Sequence, residues 1–300
     1  AVITISRTIL SAILSFYFIF KYSLTYMARI NAMLITQGII VFCLIAVTGY
    51  LFAAKFSLGS LKKSLKLSSP LMPNNLIGMI HNSFDKVMLN MYQGTFSVGY
   101  YSFGVRFSLI LKMIIDSLNK VWEPFFMNLA TENTEESKRA IIIRFNSLVF
   151  FYMVIGLCVI YFSEEMIKLL TTKEFYPSIY VVPIYVYFYL FSIIGVLTMP
   201  QISFSEKMIF VLPSTFIGAL INVIFNILLI PKFGALGAAG GSAIAALFSQ
   251  LINYYYAMKL FPLPLRAMKL VGLYCIIIIY TLFIYPIIAF EINVFIKIML

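Results

Sequence analysis

Apolar residues recur along this chain in runs of about 20, the length that carries an α-helix across a bilayer, and not in the short alternating segments of a membrane strand. The runs fall at 2–20, 33–52, 71–93, 97–129, 141–162, 180–200, 208–229, 235–257 and 268–290, and a tenth begins at 292 and stops at Leu300. The pattern predicts an all-α, polytopic transmembrane helical bundle of nine full spans and one truncated span. The chain opens at Ala1 inside an apolar run, without an initiator Met or a signal-peptide layout, so both ends read as cut.

Two of these runs carry charges, which membranes usually exclude. At about 100° per residue, Asn75, Gly78, Asn82, Asp85, Lys86 and Gln93 of the run 71–93 fall within an arc of roughly 100°. On the run 97–129, Ser102, Arg106, Lys112, Asp116, Lys120 and Glu123 fall within about 120° of one another. An ionised side chain facing lipid at the bilayer centre costs on the order of 2.5 to 3.5 kcal/mol even on the lenient insertion scale. Both stripes are therefore expected to face protein or water, lining one polar cavity within the bundle. Local pairing is the simpler alternative for Lys112 with Asp116 and for Lys120 with Glu123, but Arg106 has no acid one turn away on its own helix.

Composition agrees with a membrane chain: 62% of residues are hydrophobic, 11% charged, and the mean hydropathy is +0.99. The spans use nearly all of the sequence, leaving no room for an extramembrane catalytic domain. The formal charge of +11 comes largely from Lys and Arg in short loops, where the positive-inside bias places them, and implies no nucleic acid. The basic side carries Lys55, Lys62, Lys63, Lys66, Lys138, Arg139, Arg144, Lys207, Lys259, Arg266 and Lys269, and is expected to be cytoplasmic. The opposite side has Lys21, Arg29, Lys168, Lys173 and Lys232. Its segment SEEMIKLLTTKEFYPS is expected to form a short interfacial helix and a loop, with the tyrosines from Tyr176 to Tyr189 in an interfacial belt.

The stretch 216–250 is the second informative one. Asn222 and Asn226 lie one turn apart, Pro231 and Gly234 end their helix, and Gly237, Gly241 and Ala245 allow close helix approach on the next. Tight packing with cross-helix amide bonds explains this; an ion site using Asn carbonyls, Ser242 and a carboxylate such as Asp85 explains it too. His81 is the only histidine, so no His-based metal site or triad can be assembled, and it reads as a hydrogen-bonded interhelical residue or a proton relay. Cys43, Cys158 and Cys275 lie singly in apolar runs without ligand spacing and are expected to be small core residues. No structural metal site and no catalytic residue is expected.

The pieces PLMPNNLIGMIHNSFDKVMLNMYQGTFSVGYYSFGVRF, KEFYPSIYVVPI and NVIFNILLIPKFGALGAAGGSAIAAL, in this order and spacing, resemble the polysaccharide repeat-unit flippases (Wzx-type) of the multidrug, oligosaccharidyl-lipid and polysaccharide exporter superfamily. The resemblance covers about residues 60 to 250. It implies a MATE-like fold in which residues 1–54 are the last two helices of an amino-terminal lobe and 55–70 a basic cytoplasmic linker. Residues 71–260 would be the six-helix carboxy-terminal lobe and 261–300 an additional helix pair. It also implies a multi-pass protein of the bacterial inner membrane that moves undecaprenyl-diphosphate-linked oligosaccharide by alternating access, in contact with membrane lipids and other polysaccharide assembly proteins.

The same resemblance implies that Arg106, with Lys86, Lys112, Asp116 and Asn82, lines the cavity and meets the diphosphate. It implies a Na⁺ or H⁺ coupling site at Asp85, Asn222, Asn226 and Ser242, although Asn226 stands where an acid would strengthen ion binding. No other cofactor follows. A cation-coupled multidrug exporter of the same superfamily is the alternative, and a membrane-embedded polymerase or glycosyltransferase a further one.

Overall fold

The computed structural model describes residues 2–22, 26–49, 71–265 and scattered positions in 57–65 and 272–279; the side chains of 2–5, 22, 26, 48, 71–75 and 79–82 lie outside the description. Most of the expected spans 268–290 and 292 onward, and most of the linker 55–70, therefore lie outside the described residues. The chain divides into two compact units, residues 1–65 and 66–300. The first is a helical hairpin of α1 (Val2–Tyr22) and α2 (Tyr26–Thr48).

The second unit begins with α3 (Leu71–Glu132), whose 62 residues would reach about 93 Å if straight, three times the hydrocarbon thickness. It does not run straight. Gly94 adopts φ 79 and ψ 174, a conformation open to glycine and strained for other residues, and it breaks α3 into two arms. Asp85 and Tyr101 would stand about 24 Å apart on a straight helix, yet their side chains are hydrogen-bonded at 2.8 Å. The arms thus fold back on one another, as the turn expected at 93–95 requires.

After α3 a capping box opens α4 (Glu135–Leu170): Ser137 N–H donates to Thr134 Oγ1 and Thr134 N–H to Ser137 Oγ, both at 3.1 Å. α4 is longer than the expected run 141–162, and it absorbs the segment expected to form a separate interfacial helix. Only a 3₁₀ turn, Lys173–Phe175, follows before α5 (Ser178–Ser192). The span expected at 180–200 is two helices, α5 and α6 (Ile194–Phe204). Pro200 in α6 has no N–H to offer the carbonyl of Val196 one turn back. The indole Nε1–H of Trp122 takes that carbonyl instead, at 2.8 Å in the protein interior.

The bundle closes with α7 (Val211–Phe233) and α8 (Ala235–Leu260), joined at Gly234. α8 packs against α5, α6 and α7, while α3 packs against α4, α5 and α7. No strand occurs among the described residues, and six helical segments there are long and apolar enough to cross a membrane, one of them the broken α3. The protein is a multi-pass membrane protein. Two sequence expectations fail at the level of single residues. Tyr185 and Tyr189 are buried among other rings and do not belong to an interfacial belt, because α5 is enclosed by α3, α4 and α8. The three cysteines are exposed, not core, because an apolar run in a membrane chain supplies outward-facing as well as core positions.

Candidate functional site

Helices α3, α7 and α8 meet at one buried carboxylate. Asp85, on the first arm of α3, is 2% exposed. Its Oδ2 accepts hydrogen bonds from Tyr101 Oη at 2.8 Å and Ser242 Oγ at 3.0 Å, and its Oδ1 accepts from Asn226 Nδ2 at 3.2 Å. Asn226 Nδ2 also donates to Asn222 Oδ1 at 3.0 Å, and Asn222 Nδ2 donates to Ser242 Oγ at 3.2 Å. Tyr101, Asn222, Asn226 and Ser242 are as deeply buried as the acid.

The local sequence explains how five polar groups converge in a bundle interior. Asn222 and Asn226 share a face of α7 because they are one turn apart. Ser242 reaches them because Gly237 and Gly241 on α8 remove the side chains that would hold α7 away. A Cβ on Gly241 would lie 2.7 Å from Asn226 Oδ1, and one on Gly237 would collide with the Leu229 carbonyl. The close-packing reading of the 216–250 stretch is thus realised: the small residues let α7 and α8 approach, and the approach brings the cross-helix amide and hydroxyl bonds together.

All three donors to Asp85 are neutral. A buried carboxylate is tolerable only when hydrogen-bonded or paired, and three donors supply part of that compensation. The donor set offers carboxylate, amide and hydroxyl oxygens, the hard ligands suited to Na⁺ or a proton. Asn226 turns its Nδ2 toward Asp85 and Asn222, and its Oδ1, which lies against Gly241, is buried without a hydrogen-bond partner among the described residues.

Asp85, Asn222, Asn226 and Ser242 are therefore brought together as expected, and Tyr101 joins them unanticipated. The two arms fold about Gln93, and Asp85 and Tyr101 each lie eight positions from it. Reading the 71–129 stretch as a closed hairpin, and not only as two separate wheels, would have paired them.

The other expected residues lie elsewhere. Lys112, Asp116, Asn119, Glu123, Ser192 and Gln250 help line a cavity of about 440 Å³ between the second arm of α3 and helices α5, α6 and α8. Lys112 Nζ and Asp116 Oδ2 are 2.6 Å apart and half-exposed, so the local pairing alternative holds for this lysine. Lys86 and Arg106 are exposed, and neither lines this cavity. The side chains of Asn82 and His81 lie outside the described residues. One shared cavity for both stripes is thus not found: Asp85 turns inward against α7 and α8, where packing is tight, while Lys112 and Asp116 turn toward the open cavity beside α5 and α6.

Residues 1–180 match the model of a family described as polysaccharide biosynthesis protein. The chain belongs to this polysaccharide biosynthesis family. It is also 25% identical over 207 residues to the capsular polysaccharide biosynthesis protein CapF of Staphylococcus aureus, a match covering 68% of this chain and 51% of that protein. The chain thus spans about half the length of this curated relative. Among solved structures, the lipid II flippase MurJ in an inward closed conformation matches with a TM-score of 0.70 and 19% identity, over 97% of this chain and 62% of MurJ. A MATE protein, solved as a point mutant, matches with a TM-score of 0.60 and 14% identity, over 89% of this chain and 62% of the MATE chain. At these identities the matches speak to fold alone, and the fold is the all-α transmembrane bundle that the sequence predicts.

Proposed function

We propose that the protein moves undecaprenyl-diphosphate-linked oligosaccharide units from the inner to the outer leaflet of the bacterial cytoplasmic membrane by alternating access. Membership of the polysaccharide biosynthesis family is the observation that carries this reading. The physics is consistent with it: sugars and a diphosphate cannot enter hydrocarbon without replacement of their hydration, and a polar cavity inside an apolar bundle supplies that replacement. The 440 Å³ cavity offers amide and hydroxyl groups from Asn119, Ser192 and Gln250 for sugar hydroxyls, beside the rings of Phe188 and Tyr189. Arg106, Lys86 and Lys112, with Asp116 and Asn82, are assigned to the headgroup path. Arg106 is the main candidate for the diphosphate because it is exposed and has no carboxylate partner among the described residues.

We further assign Asp85, Asn222, Asn226 and Ser242, with Tyr101, to the binding of a coupling Na⁺ or H⁺. A bound cation would supply the charge that the three neutral donors leave uncompensated on Asp85. Other polysaccharide assembly proteins are the expected functional partners.

Chromosomal replacement of Arg106 by Ala tests its assignment to the headgroup path. Surface polysaccharide should be lost while the protein remains in the membrane; unchanged surface polysaccharide removes Arg106 from the path. Drug resistance on expression, with surface polysaccharide intact in a deletion strain, would instead identify a multidrug exporter.

A further inference from the structure

Between the second arm of α3 and α4 lies an apolar groove of about 340 Å³ that carries a single cation. Leu118, Val121, Trp122 and Phe125 form one wall, and Arg144, Ser147 and Leu148 the other. Leu118, Val121 and Phe125 lie on roughly the opposite side of α3 from Lys112 and Asp116, so the groove is separate from the cavity described above. Val121 and Ser147 are exposed, which leaves the groove open on its outer side. The guanidinium of Arg144 lies 4.3 Å from the centre of the Phe125 ring and makes no hydrogen bond or ion pair among the described residues.

The charges of α4 fix the depth of the groove. Arg144 is the last charged residue before Glu164, and the uncharged stretch 145–163 between them is about 28 Å long, close to the thickness of a hydrocarbon core. Arg144 therefore stands where hydrocarbon gives way to headgroups. Because α3 and α4 run antiparallel from their connecting turn, Phe125 is level with Arg144, while Leu118 lies about 10 Å deeper on α3 and Leu148 about 6 Å deeper on α4. A lone cation at the interface, above an apolar channel that runs into the hydrocarbon, complements a lipid with an anionic head and an acyl tail.

We propose that this groove binds an anionic phospholipid of the bilayer, with the phosphodiester on Arg144 and Ser147 and an acyl chain along Leu118 and Leu148. The guanidinium fork matches phosphate oxygens, and the Phe125 ring holds its plane in place. Arg144 and the Ser147 hydroxyl are the polar groups the lining has to offer, since the Trp122 indole is committed to the Val196 carbonyl. That set suits a phosphodiester and leaves the hydroxyls of a glycan without partners, so the occupant is a structural lipid and not a saccharide cargo. The site requires only that the protein spans a membrane, and it does not rest on the transport reading.

The test places the purified protein in nanodiscs of equal phosphatidylglycerol and phosphatidylcholine. Native mass spectrometry then reads which lipid is retained longest as collision energy is raised. Wild type should retain phosphatidylglycerol in preference, and Arg144→Gln should lower the ratio of the two lipids about fivefold, the factor that one basic side chain near a membrane surface is worth. Arg144→Lys keeps the charge without the planar fork and should recover part of the ratio. Arg144 is exposed, so these variants should fold. Ser147→Trp keeps the cation but fills the groove, and it should reduce retention of both lipids. An equal ratio in wild type and Arg144→Gln, or unchanged retention in Ser147→Trp, overturns the proposal. A dimer fraction that falls in Ser147→Trp while lipid retention stays the same identifies a second copy of the chain as the occupant, and overturns it too.

Discussion

Tyr101→Phe isolates the contact that closes the α3 hairpin around its carboxylate. The substitution removes one hydroxyl and keeps the ring, including its edge contact with Tyr185 at a centroid distance of 6.2 Å. What is lost is a buried 2.8 Å hydrogen bond from a phenol to Asp85. Bonds to a charged acceptor contribute about 1.5–3 kcal/mol, against about 0.5–1.5 kcal/mol for a neutral one. The variant should therefore lose about 1.5–3 kcal/mol, read as a shifted midpoint for unfolding in mixed detergent micelles.

A double-mutant cycle with Asp85→Asn separates this bond from any general effect of the substitution. In the Asp85→Asn background the acceptor is a neutral amide oxygen, so the cost of Tyr101→Phe should shrink by about 1 kcal/mol or more. Equal cost in the two backgrounds, or a cost below about 0.5 kcal/mol in the wild-type background, would mean that Asp85 is not the charged centre described above.

Gly241→Ala places a Cβ 2.7 Å from Asn226 Oδ1, so it should destabilise the bundle by about 1–3 kcal/mol and abolish any Na⁺-dependent rise in melting temperature shown by wild type; a preserved Na⁺ response would separate the ion from Asn226. Trp122→Phe leaves the Val196 carbonyl without a donor beneath Pro200 and should cost about 1–3 kcal/mol in the same unfolding assay, with no cost if the bond is not formed. Removing the half-exposed Lys112–Asp116 pair together should change stability by no more than about 0.5 kcal/mol, so a loss of surface polysaccharide in that variant at normal protein levels reports on the cavity and not on folding.

The sequence carried the helices and most of the buried site because both depend on short-range regularities. Asn222 and Asn226 are one turn apart, the glycines of α8 mark where a neighbour comes close, and a lone acid on an otherwise apolar arm must find polar company. Tyr101 was not legible in the same way. On a helical wheel it is one more aromatic, and its role exists only because the chain doubles back at Gly94. The assumption that both polar stripes share one cavity failed for a related reason: angular position on a wheel says which residues face together along one helix, not which neighbouring helix they meet. Asp85 meets α7 and α8, and Lys112 meets α5 and α6. Arg29 reads as a loop cation in the sequence, and the structure places it in the first turn of α2.

The most direct measurement of the proposed function is the leaflet in which lipid-linked oligosaccharide resides in cells lacking this protein. With the gene deleted, surface polysaccharide should fall and full-size lipid-linked units should accumulate at the cytoplasmic face, inaccessible to a glycosidase added to intact spheroplasts. Accumulation of shortened glycans would indicate a role in synthesis, and full-size units still accessible at the outer face, with normal surface polysaccharide, would contradict transport by this protein.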